Sequence, residues 1–151
     1  MRIQDVIDFA KRHGNGRVYI GWSDEEIANH LKFHASDGTL MVTESDGAIT
    51  SFCVYKQIRQ FDGDIEKVFW QSSDRSGQDV YLHELVSISG VSAAHMLDVF
   101  ERSDPRAIDM TYWAHRGGKL RQYTFNQLKR FLCHHRRHHH HQTMPQQTVR
   151  A

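Results

Sequence analysis

The chain has 151 residues, 39% of them hydrophobic and 25% charged, with a formal net charge of +1 when its 12 histidines are neutral. That is enough chain for one domain with a real core, and the composition is that of a globular protein, not a disordered or collagen-like one. The near-neutral total gives no argument for nucleic-acid binding from global charge, and no apolar run approaches the ~20 residues of a membrane-spanning helix.

In chain order, Ile3, Val6, Ile7 and Ala10 recur at helical spacing, and His13-Gly14-Asn15-Gly16 ends that helix. Residues 17–21 (RVYIG) read as a short extended piece. Ser23-Asp24-Glu25-Glu26 is a capping box and opens a second helix over residues 24–34, with Ile27, Leu31 and His34 on its inner stripe. Asp37-Gly38 turns the chain. Residues 39–44 and 48–56 form a hairpin around Ser45-Asp46-Gly47. A second turn over residues 60–64 leads to an expected third strand over 65–71, and residues 72–78 are a polar loop.

The most informative stretch follows. Residues 80–88 are β-branched and aromatic enough for a strand. Ser89-Gly90-Val91-Ser92 breaks the period, with Ser92 as the expected N-cap of a helix carrying Ala93, Met96, Leu97 and Phe100. Ser103-Asp104-Pro105 stops that helix, because the residue before a proline is driven out of the helical region. Residues 107–115 read as a strand ended by Gly117-Gly118, and residues 124–133 as a last helix with Phe125, Leu128, Phe131 and Leu132 inward. Strand, turn, helix and strand of this length imply a right-handed crossover. The turn at Ser89, Gly90, Val91, Ser92 and Ala93 presents backbone N–H groups at a positive helix end, which suits an anion such as a pyrophosphate.

The expected fold class is α+β: one mixed, mostly antiparallel sheet with helices on both faces. Residues 1–133 form the domain. Residues 134–151 are a basic, histidine-rich tail expected to be disordered alone. Seven Lys/Arg and no acidic residue lie within residues 116–137. The tail's His134-His135-Arg136-Arg137 and the four histidines after them make an anionic partner, engaged more strongly as pH falls, the expectation there. The tail lacks the fixed spacing of a structural zinc site, so no metal is expected to be required. Cys53 and Cys133 cannot build a disulfide scaffold, and Met1-Arg2-Ile3-Gln4-Asp5 has no signal-peptide character. A cytoplasmic location follows as the expectation.

Over roughly residues 3–133 the pattern resembles the GNAT acyltransferase fold. Its members run two helices, a three-strand meander, a splayed fourth strand, a coenzyme-binding turn and helix, and a fifth strand. The local texture is most similar to the toxin-activating lysine acyltransferases that fatty-acylate RTX toxins. The likeness is carried by DGAITSFCVY at residues 46–55, by YLHELVSISG at residues 81–90, and by His115-Arg116-Gly117-Gly118-Lys119, which resembles a histidine–glycine–glycine–lysine segment of that family. Small GNAT-like proteins of bacteriophages share the same compact plan. Two departures stand out. The coenzyme-loop window Ser87-Ile88-Ser89-Gly90-Val91-Ser92 keeps its middle glycine but lacks the leading Arg or Gln. The family's catalytic histidine, before the second helix, has no clean partner; His13 is nearest, and Arg17 lies closer to the expected spot.

The resemblance implies acyl transfer from acyl-CoA or an acyl-carrier protein to an amine. Such a reaction needs a base, donors for the oxyanion and an acid for the leaving thiolate. Glu84 or His83 is the candidate base. Strict alternation would put them on opposite faces, so that only one of them could meet a given donor. Tyr123 is the candidate acid. Val86 and Ile88 offer strand N–H groups, and Ser89, Gly90, Val91, Ser92 and Ala93 form the coenzyme turn. Trp70, Phe69, Tyr112 and Trp113 read as core or groove aromatics. Two competing readings are a non-enzymatic GNAT-derived protein, such as a phage virion component held by its fold and tail to other virion proteins, and a nucleic-acid-binding module working through the basic arm.

Overall fold

The computed structural model describes residues 2–14 and 16–141; the side chains of residues 70 and 134–141 lie outside that description. The expectations for the Trp70 ring, for Asn15 in the first turn and for residues 142–151 of the tail therefore fall outside the described residues.

Two N-terminal helices come first, α1 over Ile3–His13 and α2 over Asp24–Asp37. The capping box forms as its sequence dictates. Ser23 Oγ accepts from Glu26 N, and the Glu26 carboxylate accepts from Ser23 N. Gly38, at φ 76°, ends α2 in the left-handed conformation that favours glycine. The hairpin follows as β1, Leu40–Ser45, and β2, Ala48–Ile58, with Asp46 and Gly47 both at positive φ in the turn. Residues 17–21 are not extended; they make bends and turns, with Tyr19 at φ 60°.

Three expectations are corrected here. Residues 65–71 do not form a strand, since Ile65–Trp70 is a short helix, α3. Asp64 decides it, because its carboxylate accepts from Glu66 N and Lys67 N and so supplies the cap that a β-branched stretch lacks. β2 instead pairs directly with β3, Asp79–Ser87. The last expected strand starts late. Asp104 caps a 3-10 turn over Pro105–Asp109, and β4 is Thr111–Arg116. Finally, Gly117-Gly118 does not end the sheet. Both glycines have positive φ, as a two-residue hairpin turn requires, and they return the chain as β5, Lys119–Thr124.

The sheet has the order β1-β2-β3-β4-β5. Only β3 and β4 are parallel, joined through the crossover helix α4, Gly90–Ser103. The last helix, α5, spans Phe125–His141 and so runs beyond its expected end at Cys133. Among the described residues no helix is long and apolar enough to cross a membrane.

Helices cover both faces. On one, Val6, Ile7 and Leu31 of α1 and α2 pack on Phe52, Val54 and Val86. On the other, Ala93, Leu97 and Phe100 of α4 and Phe125, Leu128 and Leu132 of α5 pack on Val80 and Tyr112. Each fully buried side chain of this size contributes roughly 1.5–3 kcal/mol. A smaller cluster, Ile58, Phe61, Val68 and Tyr81, seats α3 at one end of the sheet. Lys56, itself buried, fixes that helix by donating from Nζ to the carbonyls of Phe69 and Gln71.

Candidate functional site

The site is built on an irregularity in β3. Val54 pairs with Glu84, but the next residue, Tyr55, pairs with Leu82. His83 is therefore an extra residue, a β-bulge. Its consequence is visible on both sides. Leu82 and Leu85 both pack toward α4, while His83 and Glu84 both turn toward α2. The expectation of opposite faces for His83 and Glu84 is overturned, because a bulge shifts the alternation by one.

Glu84 is met by a histidine that sequence reasoning passed over. His30, on α2, places Nε2 2.8 Å from Glu84 Oε1, and the two side chains are only 15% and 13% exposed. His34 lies one turn further along the same helix, its ring 4.6 Å from that of His30. The Gly38 turn folds Thr39 back beneath it, giving a 2.7 Å hydrogen bond between Thr39 Oγ1 and His34 Nδ1. His83 completes the cluster, its ring 5.7 Å from His34. The signal for His30 was present: it stands four residues before His34, beside Ile27 and Leu31 on the stripe that faces the sheet.

Burial dominates the electrostatics. It holds His83 far below its ordinary value, at about 3, with His34, Lys56 and His30 adding like-charge repulsion. His34 is pushed down to about 4, again by burial first and then by His30 and Lys56. Both are therefore neutral imidazoles at pH 7. Tyr19 is pushed up, by burial and then by the Glu84 carboxylate. Its positive φ is rare for a bulky residue and costs on the order of 1–3 kcal/mol, a strain that such loops retain at functional positions. Tyr19 Oη is buried against the Glu84 carboxylate, outside ordinary hydrogen-bond geometry, and His83 Nε2 and Glu84 Oε2 are buried without a hydrogen-bond partner. Such groups are costly unless a ligand or water completes them.

The cluster has an apolar rim. Trp22 lies 5.1 Å from the His30 ring, Phe33 5.1 Å from His34, and Phe69 5.0 Å from His83. All three rings are exposed, as is Ile20 beside Trp22. Beside this cluster the sheet opens, since the β3–β4 ladder ends at the Leu82–Ala114 pair and β3 then pairs with β2 alone. Val86 is buried against α1 and α2, and Ile88 donates from its backbone to the Thr50 carbonyl.

The turn after β3 is tight. Ser89, not Ser92, is the N-cap; its Oγ accepts from Ser92 N at 3.1 Å. Ser87 Oγ donates to the Ser89 carbonyl at 2.7 Å, and Ser89 Oγ to Ser92 Oγ at 3.2 Å. Ser87, Ser89, Gly90, Ser92 and Ala93 are buried, leaving Val91 as the exposed residue of the turn. Tyr123 is elsewhere. It stacks on Phe131 at 5.7 Å in the α4–α5 layer, on the sheet face opposite to Glu84. The His13 ring lies tilted against Phe9, 4.6 Å away within α1, and is also held below its usual value by burial.

Among the described residues no group of three or more His, Cys, Asp or Glu is arranged to hold a metal ion. Cys53 is buried and its thiol is pushed up by that burial, which makes it a packing residue and not a nucleophile. No protein-family model matches this chain, and a search of curated proteins returns no match.

Proposed function

We propose that this chain is a GNAT-like N-acyltransferase that moves an acyl group from acyl-CoA or an acyl-carrier protein to an amine. One observation carries the reading: a histidine of the second helix is hydrogen-bonded to a carboxylate of the strand that parts from its parallel neighbour. The resemblance to toxin-activating acyltransferases calls for a histidine before the second helix and an acid in the fourth strand; His30 stands within that helix instead, and pairs with Glu84 of the strand. Glu84 accepts from Nε2–H of His30 and so fixes the tautomer that leaves the lone pair on Nδ1. That nitrogen takes the proton as the amine attacks the thioester carbonyl. The carbon–sulfur bond then breaks, and the thiolate leaves with the donor. The Ile88 N–H is already donated to the Thr50 carbonyl, so an oxyanion donor from this strand would be an N–H on the edge of β3 that β4 leaves open. The turn at residues 89–93 suits the donor's phosphates. The rim of Trp22, Phe33 and Phe69 suits apolar substrate. Tyr123, on the opposite face, has no part in this scheme, and Tyr19 is the phenol nearest the pair. The location that goes with this activity is cytoplasmic.

A second reading has its own observation. Serines 87, 89 and 92 fill the turn with mutual hydrogen bonds, as a purely structural strand-to-helix connection would. On that reading the chain is a non-enzymatic GNAT-derived protein, such as a virion component. A thermal-shift and mass-spectrometry screen against acetyl-CoA, long-chain acyl-CoA and acyl-carrier protein separates the two. Donor-dependent stabilisation and an acylated product support the enzyme, and their joint absence supports the binding protein.

A further inference from the structure

The charge of the chain is divided along its length. Eight of its 19 Lys/Arg lie in residues 116–151 and none of its 18 Asp/Glu does, leaving 11 cations against 18 anions in residues 1–115. The first part thus carries −7 and the second +8, although the total is only +1.

Much of the second part's charge stands on the β4–β5 hairpin and on α5. Arg116 and Lys119 are cross-strand partners at the tip of the β4–β5 hairpin, and Arg121 pairs with Ala114 one step further on. Alternation places Arg116, Lys119 and Arg121 on the face that Tyr112 and Tyr123 share with α5. The Arg116 guanidinium is held 4.0 Å over the Phe131 ring, which fixes it at low entropic cost. Arg130 is exposed on α5, and that helix carries on through Arg136 and Arg137.

In the body, five of the 11 Lys/Arg, namely Arg2, Lys11, Arg59, Lys67 and Arg106, have a carboxylate within ion-pair distance. Among the residues whose side chains are described, Lys119, Arg121 and Arg130 have none, and within residues 125–133 Lys129 is paired, with Asp98. The surface also lacks an apolar centre. The large exposed hydrophobic side chains are Ile20, Trp22, Phe33, Phe69, Val91 and Ile108, none of them on β4, β5 or the described part of α5. Protein partners require a desolvated apolar core in the contact, whereas a phosphodiester backbone is bound by a polar, cationic surface.

We infer that the β4–β5 hairpin and α5 form a binding surface for the phosphate backbone of nucleic acid. This extends the anion-binding role of the C-terminal tail onto the folded domain and names its partner. It does not rest on the acyl-transfer reading, since the surface lies across the sheet from His30 and Glu84. Contacts to phosphate and sugar carry no sequence information, so binding by this surface is independent of sequence. Counterion release makes it steeply dependent on salt.

The test titrates the full chain against a fluorescein-labelled DNA duplex and a single-stranded RNA of ~20 nucleotides, by fluorescence anisotropy, between ~50 and ~200 mM salt. The expected result is binding of either nucleic acid with little sequence preference, weakening by ~10²-fold or more across that range for about four phosphate contacts. The variant carrying Lys119→Gln, Arg121→Gln and Arg130→Gln changes exposed, unpaired side chains only. Circular dichroism and thermal melting should match the wild type, and the slope of log affinity against log salt should fall by ~2–3. An unchanged slope with an intact fold would place any binding in the tail alone and overturn the inference. So would the absence of nucleic-acid binding, or equal affinity for polyglutamate, which would point to an acidic protein. An Arg116→Lys variant guards against misfolding by keeping the charge; it should retain most of the binding.

Discussion

His83 and Glu84, neighbours in β3, project their side chains from the same face of the sheet. β2 pairs Val54 with Glu84 and Tyr55 with Leu82, so His83 is left over between them. This one extra residue brings a carboxylate to His30 and a neutral imidazole to His34. A regular strand would have sent one of the two into the α4 core.

The two buried imidazoles predict a pH dependence of stability. His34 and His83 are held at about 4 and about 3, against 6.5 for an unperturbed histidine. Between these limits the unfolded chain binds protons that the folded chain does not, so stability is full above pH ~6.5 and falls as the pH drops toward ~4. Urea unfolding from pH 7 to 4.5, above most carboxylate titration, should show a loss on the order of a few kcal/mol. The loss should be smaller in His83→Gln. A flat profile would mean that the histidines are not buried neutral.

Tyr19 makes a separate prediction. Its hydroxyl is buried against the Glu84 carboxylate, outside ordinary hydrogen-bond geometry. Tyr19→Phe should therefore change stability by less than ~1 kcal/mol. A larger loss in chemical denaturation would show that the hydroxyl donates to that carboxylate in a full hydrogen bond.

How much of this was legible in the sequence depends on what each signal measures. Ser23 with Glu26, and Asp46 with Gly47, act within a few residues, and both gave the local structure they encode. Ile65 to Trp70 is short and apolar enough to suit helix or strand, and Asp64 at its head was the deciding cue. Gly117-Gly118 was read as an end when two adjacent glycines at positive φ also make a hairpin. The bulge at His83 had no local cue at all, because it is set by how β2 and β3 share their register. The helical spacing from His34 puts His30 on the inner stripe of α2, but its partner follows only from the bulge that turns Glu84 toward that helix.

Val91 tests the donor site without disturbing the turn. It is exposed and stands just after the start of α4. Val91→Asp adds negative charge at a helix N-terminus, which stabilises the helix by ~0.3–1 kcal/mol. The same charge should repel a donor's phosphates and weaken acyl-CoA binding by ~tenfold or more, as read by isothermal titration calorimetry. Equal binding by wild type and variant would move the donor site away from this turn.

Gly77 is required by a close approach of backbones. A Cβ there would lie 2.2 Å from the Ile58 carbonyl oxygen. Gly77→Ala should cost more than ~2 kcal/mol in denaturant unfolding, because neither segment can move without breaking the Gln57 hydrogen bonds to the Arg75 and Gly77 carbonyls. A variant as stable as the wild type would contradict the register of this end of the sheet.

The His30–Glu84 pair is tested by an acyl-transfer assay at saturating donor, run from pH 6 to 9, on the wild type, His30→Gln and Glu84→Gln. The wild type should turn over, each variant should fall by ~10²–10⁴-fold with donor affinity nearly unchanged, and the double variant should be little worse than either single one, since the two residues act as a unit. Wild-type transfer that survives both substitutions within tenfold would contradict the assignment of the pair. A wild type that neither binds a donor nor transfers from it would contradict the enzymatic reading itself.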